Sequence, residues 1–253
     1  MIDTHCHVYN EEINNYIDII NECKKNNISL IVNGVDIKSD YEIVELSKKY
    51  DNLYAAVGIN YDVIDTVDEK DLKSLEEIIK NNSPIAIGEI GLDYYWTKDN
   101  KEKQIEFFKA QLELAKKYDL PVIIHSRESI QDVFDVIKTS GVRKGSMHCF
   151  SGSIEMAKEF IKLGFKIGID GPITYKNNKK QVELVKSIDI KDILLETDSP
   201  YLSPEPNRGK ENTPLNLKYI VNKIAEIKNL KPNEVIEVTT KNAKELFKIW
   251  IMN

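Results

Sequence analysis

The sequence predicts a closed (β/α)8 barrel of the TIM type, on three observations. Short β-branched runs alternate with longer amphipathic segments, a beat of strand, turn and helix repeated along the chain. At 253 residues the chain has the length of such a barrel, typically about 250 residues. Polar residues stand where the apolar runs stop, from the first run to the last. In a barrel those strand ends form one ring around a single mouth, whereas an open doubly wound sheet can set its first and last strands far apart. With no linker, low-complexity stretch or repeat beyond the beat itself, residues 1–253 read as one domain.

The first run is Ile2 to His7, followed by a helix over Glu11 to Asn26 with Ile13, Ile17 and Ile20 at helical spacing. Ser29 to Val35 and Leu53 to Ile59 are the next strands, flanking a helix from Tyr41 to Tyr50 for which Ser39 or Asp40 is the cap. A third helix, Lys70 to Asn81, leads to a fourth strand, Ile85 to Gly88, that ends at Glu89. After the loop GLDYYWTKDN, the helix Lys101 to Tyr118 carries Ile105, Phe108, Leu112 and Ala115 on one face. Pro121 opens a fifth strand that closes at His125, and its helix, Glu128 to Lys138, is ended by Gly141. Strand Ser146 to His148 precedes a helix from Ser153 to Leu163, ended by Gly164. Strand Phe165 to Ile169, helix Lys179 to Ser187 and strand Ile193 to Glu196 complete the alternation. The loop Thr197 to Pro214 precedes a helix from Leu215 to Lys228, and KPNEVIEVTTKNAKELFKIW supplies a terminal helical pair.

Hydrophobic residues make up 42% of the chain and charged residues 30%, ordinary for a globular protein with a full core. No apolar run approaches the roughly 20 residues that span a bilayer. The first residues carry Asp3 and two histidines rather than a basic segment followed by an apolar one. A cytoplasmic protein is expected, with no membrane association and no obligate protein partner. Cys6, Cys23 and Cys149 form no CxxC pair and suit reduced thiols. Strand alternation turns Cys6 and Cys149 away from the neighbouring histidines, so they read as small packing residues. The net charge of −6 argues against coating long stretches of nucleic acid. A small pocket for one chain end remains open to it, because bound cations can supply the positive charge.

All four histidines lie at predicted strand ends: His5 and His7 in IDTHCHVY, His125 in PVIIHSR and His148 in GSMHCF. Two residues apart in a strand, His5 and His7 point the same way. Glu89 in IAIGEIGLD and Asp198 in ILLETDSP add carboxylates at further strand ends. Packing residues at such positions are aliphatic, as Val57 and Ile59 are, so this set points to a pair of divalent cations. Two close cations need a shared anionic ligand, which a carboxylate can be and an imidazole cannot, and Glu89 is the candidate bridge. His5, His7 and Asp198 then serve one cation and His125 with His148 the other, leaving positions open for water and substrate. Either carboxylate has a structural alternative, Glu89 as a charge at a helix N-terminus or in a salt bridge and Asp198 as a turn residue before Pro200. Arg127 and Ser126, just past His125, are candidates for holding a phosphate, with Arg208 and Lys210 in the loop after strand eight. Tyr94, Tyr95 and Trp96 either stack on an unpaired base or pack their loop. The cation can be Mg, Zn, Mn, Ni or Co.

HxH in the first strand, GEIGLDYY, QxxxF, PVIIHSR, HCFSG, ETDSP and RGKxN follow in this order from Ile2 to Asn212, with NAKELF near the end. The set resembles the TatD family of metal-dependent deoxyribonucleases, a (β/α)8 branch of the metallo-amidohydrolase superfamily. The resemblance implies hydrolysis of DNA phosphodiesters with two divalent metals, typically on single strands from a 3′ end. Its ligands carry over onto His5, His7, Glu89, His125, His148 and Asp198. The chain departs from the pattern at Tyr9, where relatives often have Asp, and at GINY, with Asn60 and Tyr61, where they often have GIHP. It departs again at RGKENTP, with Glu211 and Thr213, in place of RGKRNEP. None of these removes an expected ligand; they bear on substrate contacts.

The expected reaction has the metals polarise the phosphoryl oxygens and activate a water, Glu89 or Asp198 take its proton, and Arg127 hold the phosphate. The rivals are a two-metal amidohydrolase or esterase, such as a lactonase or an aminoacyl-tRNA deacylase, and a metal-stabilised binding protein without turnover. Many superfamily members bridge their metals with a carbamylated lysine at strand four, where this chain has Glu89.

Overall fold

In a computed structural model the described residues are 1–96 and 99–249. Thr97 and Lys98 of the GLDYYWTKDN loop, and Trp250 at the end of the expected terminal pair, lie outside them. Strands β1 (Ile2–Cys6), β2 (Ser29–Asn33), β3 (Leu53–Val57) and β4 (Ala86–Asp93) alternate with helices α1 (Tyr16–Lys25), α2 (Ile37–Lys49) and α3 (Glu69–Asn82). Helix α4 (Lys101–Tyr118) leads to β5 (Val122–Arg127), α5 (Ile130–Ser140), β6 (Gly145–Met147), α6 (Ile154–Lys162), β7 (Phe165–Ile169), α7 (Lys179–Ser187) and β8 (Ile193–Leu195). Helices α8 (Leu217–Lys228) and α9 (Pro232–Phe247) close the chain. Among the described residues no helix is long and apolar enough to cross a membrane.

The eight strands form one parallel sheet in sequence order, the (β/α)8 barrel the alternation predicts. Its two ends meet at the mouth, where Asp198 N–H donates to His5 O (3.0 Å) and His7 N–H to Ser199 O (2.7 Å). One set of strand residues faces the helices in a large apolar layer. The alternate set, Ile2, Ile31, Ala56, Ala86, Ile123 and Leu194, packs with Ala243, Phe247 and Ile249. Those last residues belong to α9 and its end, so the barrel is plugged at the N-terminal ends of its strands. The opposite end is left for the polar residues.

Several boundaries differ from expectation, each for a local reason. The helix expected from Glu11 begins at Tyr16 after a series of turns, and its buried face is Ile19, Ile20 and Cys23, with Ile17 exposed. Helix α2 begins before the expected cap. Asp36 caps it, accepting Ser39 N–H (2.8 Å) while Ser39 Oγ accepts Asp36 N–H (3.0 Å). Asp40 is instead fully buried and accepts Gly58 N–H (3.1 Å). Strand β4 runs through Glu89 to Asp93, and β5 through His125 to Arg127, so Glu89 and His125 lie within strands. The terminal stretch forms one helix rather than a pair. Its β-branched segment stays helical because Val235, Thr239, Asn242, Ala243 and Phe247 share a buried face and Thr239 Oγ1 donates to Val235 O (2.7 Å).

Candidate metal centre

The inward cluster shows which way each strand faces. Alternation from Ile123 carries His125 inward, but from Ile2 and Ala86 it would turn His5 and Glu89 outward. Both strands carry a register irregularity at that point, between Asp3 and Cys6 in β1 and between Ile87 and Ile90 in β4. Such irregularities re-aim side chains, and here they return His5, His7 and Glu89 to the interior. His148 follows β6 directly. Asp198 follows β8 with a left-handed backbone (φ 54°), a conformation that aspartate's short polar side chain tolerates.

Glu89 lies at the centre of the six expected residues. Its Oε1 is 2.9 Å from His125 Nδ1 and 2.8 Å from His148 Nε2. Its Oε2 is 3.8 Å from His5 Nε2 and 3.6 Å from His7 Nε2. Asp198 Oδ1 is 3.3 Å and 3.7 Å from those same two nitrogens. Within each pair the imidazoles also converge, His5 Nε2 to His7 Nε2 at 3.1 Å and His125 Nδ1 to His148 Nε2 at 3.0 Å. Each oxygen of Glu89 thus faces one pair, as a bridging carboxylate would. Four-coordinate bonds of about 2.1 Å space neighbouring ligand atoms by roughly 3.4 Å, inside the observed span of 2.8 to 3.8 Å. Three groups of ligand atoms meet within 4.8 Å: His5, His7 and Glu89; Glu89, His125 and His148; His5, His148 and Asp198. The donor set fits a divalent cation.

Two of the imidazoles are locked from behind, which fixes the nitrogen each presents. His7 Nδ1–H donates to Asn33 O (3.0 Å), and His125 Nε2–H donates to Asp93 Oδ2 (3.0 Å). His5 and His148 stack on each other, centroids 3.9 Å apart, and their Nδ1 atoms are buried without a partner among the described residues. Asn60 Nδ2 donates to Glu89 Oε2 (2.7 Å). Asp3 ties β1, which carries His5, to the segment after β8 that carries Asp198, accepting Thr197 N–H (3.0 Å) and the Thr197 hydroxyl (2.5 Å). Two glutamines of α4 brace the main chain around the site. Gln104 Oε1 accepts Asp93 N–H (2.9 Å) and its Nε2 donates to Asp93 O (3.0 Å). Gln111 does the same for Ile59, at 2.7 and 3.0 Å.

Burial pushes the Glu89 carboxyl up, but the charge of His148 and hydrogen bonds from His125 and His148 outweigh it and hold the group well below the usual carboxylate range. Burial pushes Asp198 up too, and His5 outweighs it by hydrogen bond and charge. Burial and His148 push His5 down to about 4. Burial also lowers His125, yet Asp93 and Glu89 lift it to about 9. At neutral pH both carboxylates are therefore anionic and His5 is neutral, the forms that bind metal, while His125 is protonated in the metal-free protein and must release its Nδ1 proton to bind.

The expected substrate residues divide. Arg127 is exposed at the end of β5, its guanidinium 3.8 Å from the Tyr95 ring centroid. Ser126 alternates away from His125, and its hydroxyl meets Ser129 Oγ (3.2 Å). Arg208 lies over the Tyr175 ring at 4.3 Å. Cys6 is buried as expected, whereas Cys149 is more than packing: its thiol donates to Asp170 Oδ2 (2.8 Å) and its N–H to Glu196. The sequence reading missed Asn60, Asp93, Asp3 and Gln104 as supports. Asp93 and Gln104 stand in GLDYY and QxxxF, motifs already singled out, and Asn60 is a polar residue just past an expected strand end, the signal that picked out the candidate ligands.

The family model for TatD-related DNases matches residues 2–248. The chain is 40% identical to YabD of Bacillus subtilis, named an uncharacterized metal-dependent hydrolase, over 98% of this chain and 99% of that protein. It is 35% identical to MJ1582 of Methanocaldococcus jannaschii, named in the same words, over 98% and 96% of the two. The crystal structure of YJJV, a TatD homolog from Escherichia coli, superposes with a TM-score of 0.92 at 29% identity, covering 99% of this chain and 98% of that one.

Proposed function

The chain belongs to the family of TatD-related DNases and is a metal-dependent hydrolase, and from that premise we propose that it cleaves DNA phosphodiester bonds, working from the 3′ end of single strands with two divalent cations. The observation that carries the reading is Glu89, with one oxygen toward His125 and His148 and the other toward His5 and His7. Glu89 would bridge the cations, His5, His7 and Asp198 holding one and His125 with His148 the other. Bound there, the cations supply Lewis-acid polarisation of a phosphoryl oxygen and lower the pKa of a water. The remaining work falls to the chain. Asp198, anionic despite burial, accepts the proton of the attacking water. Asn60 holds Glu89 Oε2 and Asp93 holds His125, so neither ligand has to reorganise. Arg127 offers its fork to the phosphate and offsets the charge that builds on it. The imidazole-rich donors suit Zn, Mn, Ni or Co, and phosphoryl chemistry suits Mg.

Metal-depleted protein is reloaded with one cation at a time and given a single-stranded oligodeoxynucleotide, its RNA counterpart, an aminoacyl-tRNA and a simple lactone. The expected result is shortening of the DNA strand, abolished by Glu89→Gln or Asp198→Asn with the fold intact. Hydrolysis of the lactone or the aminoacyl-tRNA, with the DNA strand untouched, overturns the reading.

A further inference from the structure

The loop after β4 carries three aromatic side chains in succession, and they do different things. Tyr94 is committed to the fold: it is 6% exposed, its hydroxyl donates to Asp132 (2.8 Å), and Lys101 Nζ lies 4.8 Å over its ring. Tyr95 and Trp96 are 50% and 68% exposed, and Trp96 is the most exposed large apolar side chain among the described residues. Their rings meet edge to face, 4.9 Å between centroids. The Arg127 guanidinium lies 3.8 Å from the Tyr95 centroid and 5.4 Å from that of Trp96.

Single exposed apolar side chains are common on surfaces, and two features set this one apart. Arg127 follows His125 by two residues in the same strand, a rise of roughly 6–7 Å, and so shares the face of β5 that turns His125 into the candidate metal centre. The loop is also fastened to that centre. Asp93 Oδ1 accepts the N–H groups of Tyr95 (2.8 Å) and Trp96 (3.4 Å), while Asp93 Oδ2 takes the Nε2–H of His125 (3.0 Å). A guanidinium of the kind that pairs with phosphate and an exposed indole therefore sit together, Arg127 by packing on Tyr95 and Trp96 through the carboxylate that also holds His125. Those are the two recognition elements of one nucleotide.

We infer that Trp96, with Arg127 packed on Tyr95 beside it, is a nucleobase subsite adjoining the scissile phosphate. The subsite rests on the nuclease reading and names its substrate class further: a strand whose base is unpaired at that nucleotide, since a paired and stacked base offers no free face. Every base has a π-face, so the subsite is tolerant of sequence.

The test uses the metal-loaded protein and single-stranded oligodeoxynucleotides in which one abasic nucleotide is stepped inward from the 3′ end. Stacking of one base on an aromatic side chain predicts a fall in kcat/KM of about 5- to 150-fold at one register, carried mainly by KM, with little change elsewhere. In Trp96→Ala the normal strand falls to the level of that abasic strand, and the abasic nucleotide costs nothing further. Trp96→Phe restores most of the difference. A penalty equal at every register, absent at all of them, or undiminished in Trp96→Ala overturns the subsite. Should Trp96→Ala not fold, the abasic series on the unaltered protein and Trp96→Phe decide the matter. Failure of the nuclease reading looks different: the unaltered protein cleaves neither the normal nor the abasic strands, and the subsite falls with it.

Discussion

Asp93→Asn is the substitution that most directly tests how the centre is built. Asp93 spends its oxygens separately, Oδ1 on the N–H groups of Tyr95 and Trp96 and Oδ2 on His125 Nε2–H. An asparagine of the same shape keeps its carbonyl on the two N–H donors, which places its NH2 against His125 Nε2. That nitrogen must then accept, so the neutral ring, the form that binds metal, carries its one proton on Nδ1, the atom 2.9 Å from Glu89 and 3.0 Å from His148. A ligand nitrogen becomes a blocked one. Loss of such a support typically costs 10- to 100-fold in metal affinity, about 1.4 to 2.7 kcal/mol at 1.36 kcal/mol per decade.

Calorimetric titration of metal-depleted protein with Zn2+ or Mn2+, before and after the substitution, reads that loss directly. A second reading is internal to the metal-free protein. His125 is raised to about 9 from 6.5. The stability this contributes is fully present below pH 6.5 and is lost as pH rises through 9, an amount of about 3 kcal/mol at most. Asp93→Asn should flatten that window. A folded variant with unchanged metal affinity and an unchanged slope between those pH values refutes the reasoning.

Gln111→Leu strips both partners from the buried N–H and carbonyl of Ile59, and at 1–3 kcal/mol for each orphaned group the expected loss is about 2–6 kcal/mol in urea unfolding. A loss under 1 kcal/mol would mean that other groups take over. Gly168→Ala places a methyl group into the Glu196 carboxyl, so a destabilisation of about 1–3 kcal/mol is expected, and an unchanged melting temperature would count against the packing described. Burial raises Asp40 well above its usual 3.8, against the Gly58 N–H. Its contribution to stability is therefore whole below pH 3.8 and falls as pH rises toward the folded value. Asp40→Asn should remove that fall, so its urea midpoint gains on that of the unaltered protein between about pH 4 and pH 8, and a constant difference across that range would count against it.

The six residues at the centre were legible because a barrel gathers strand ends at one mouth, and histidines or carboxylates at strand ends serve no packing purpose. Less of the geometry that makes them converge was legible. The register irregularities in β1 and β4 are backbone events with no residue signature, yet without them His5 and Glu89 would face the helices. Glu89 and Gly91 read as the end of a strand, so β4 was cut short and Asp93 passed for a loop residue. The supports act across long separations: Asn60 reaches Glu89 from 29 residues away and Asp93 reaches His125 from 32. No local pattern announces such a pair. Helix α1 failed for a simpler reason, since the apolar spacing from Ile13 to Ile20 continued through turns into a helix with a different buried face.

Helix α4 ties these supports together. Gln104 and Gln111 are seven residues apart, two turns, and so share one face of the helix. From that face one holds the main chain of Asp93 and the other that of Ile59. Asp93 orients His125, and the residue after Ile59 is Asn60, which holds Glu89 Oε2. Glu89 and His125 are thus both positioned from outside the barrel, through one helix that, among the described residues, hydrogen-bonds to neither side chain. It follows that Gln111→Leu should weaken metal binding as well as the fold, because Asn60 loses the anchored backbone from which it reaches Glu89. A variant that lost stability while binding metal with undiminished affinity would show that Glu89 is held by its imidazoles alone.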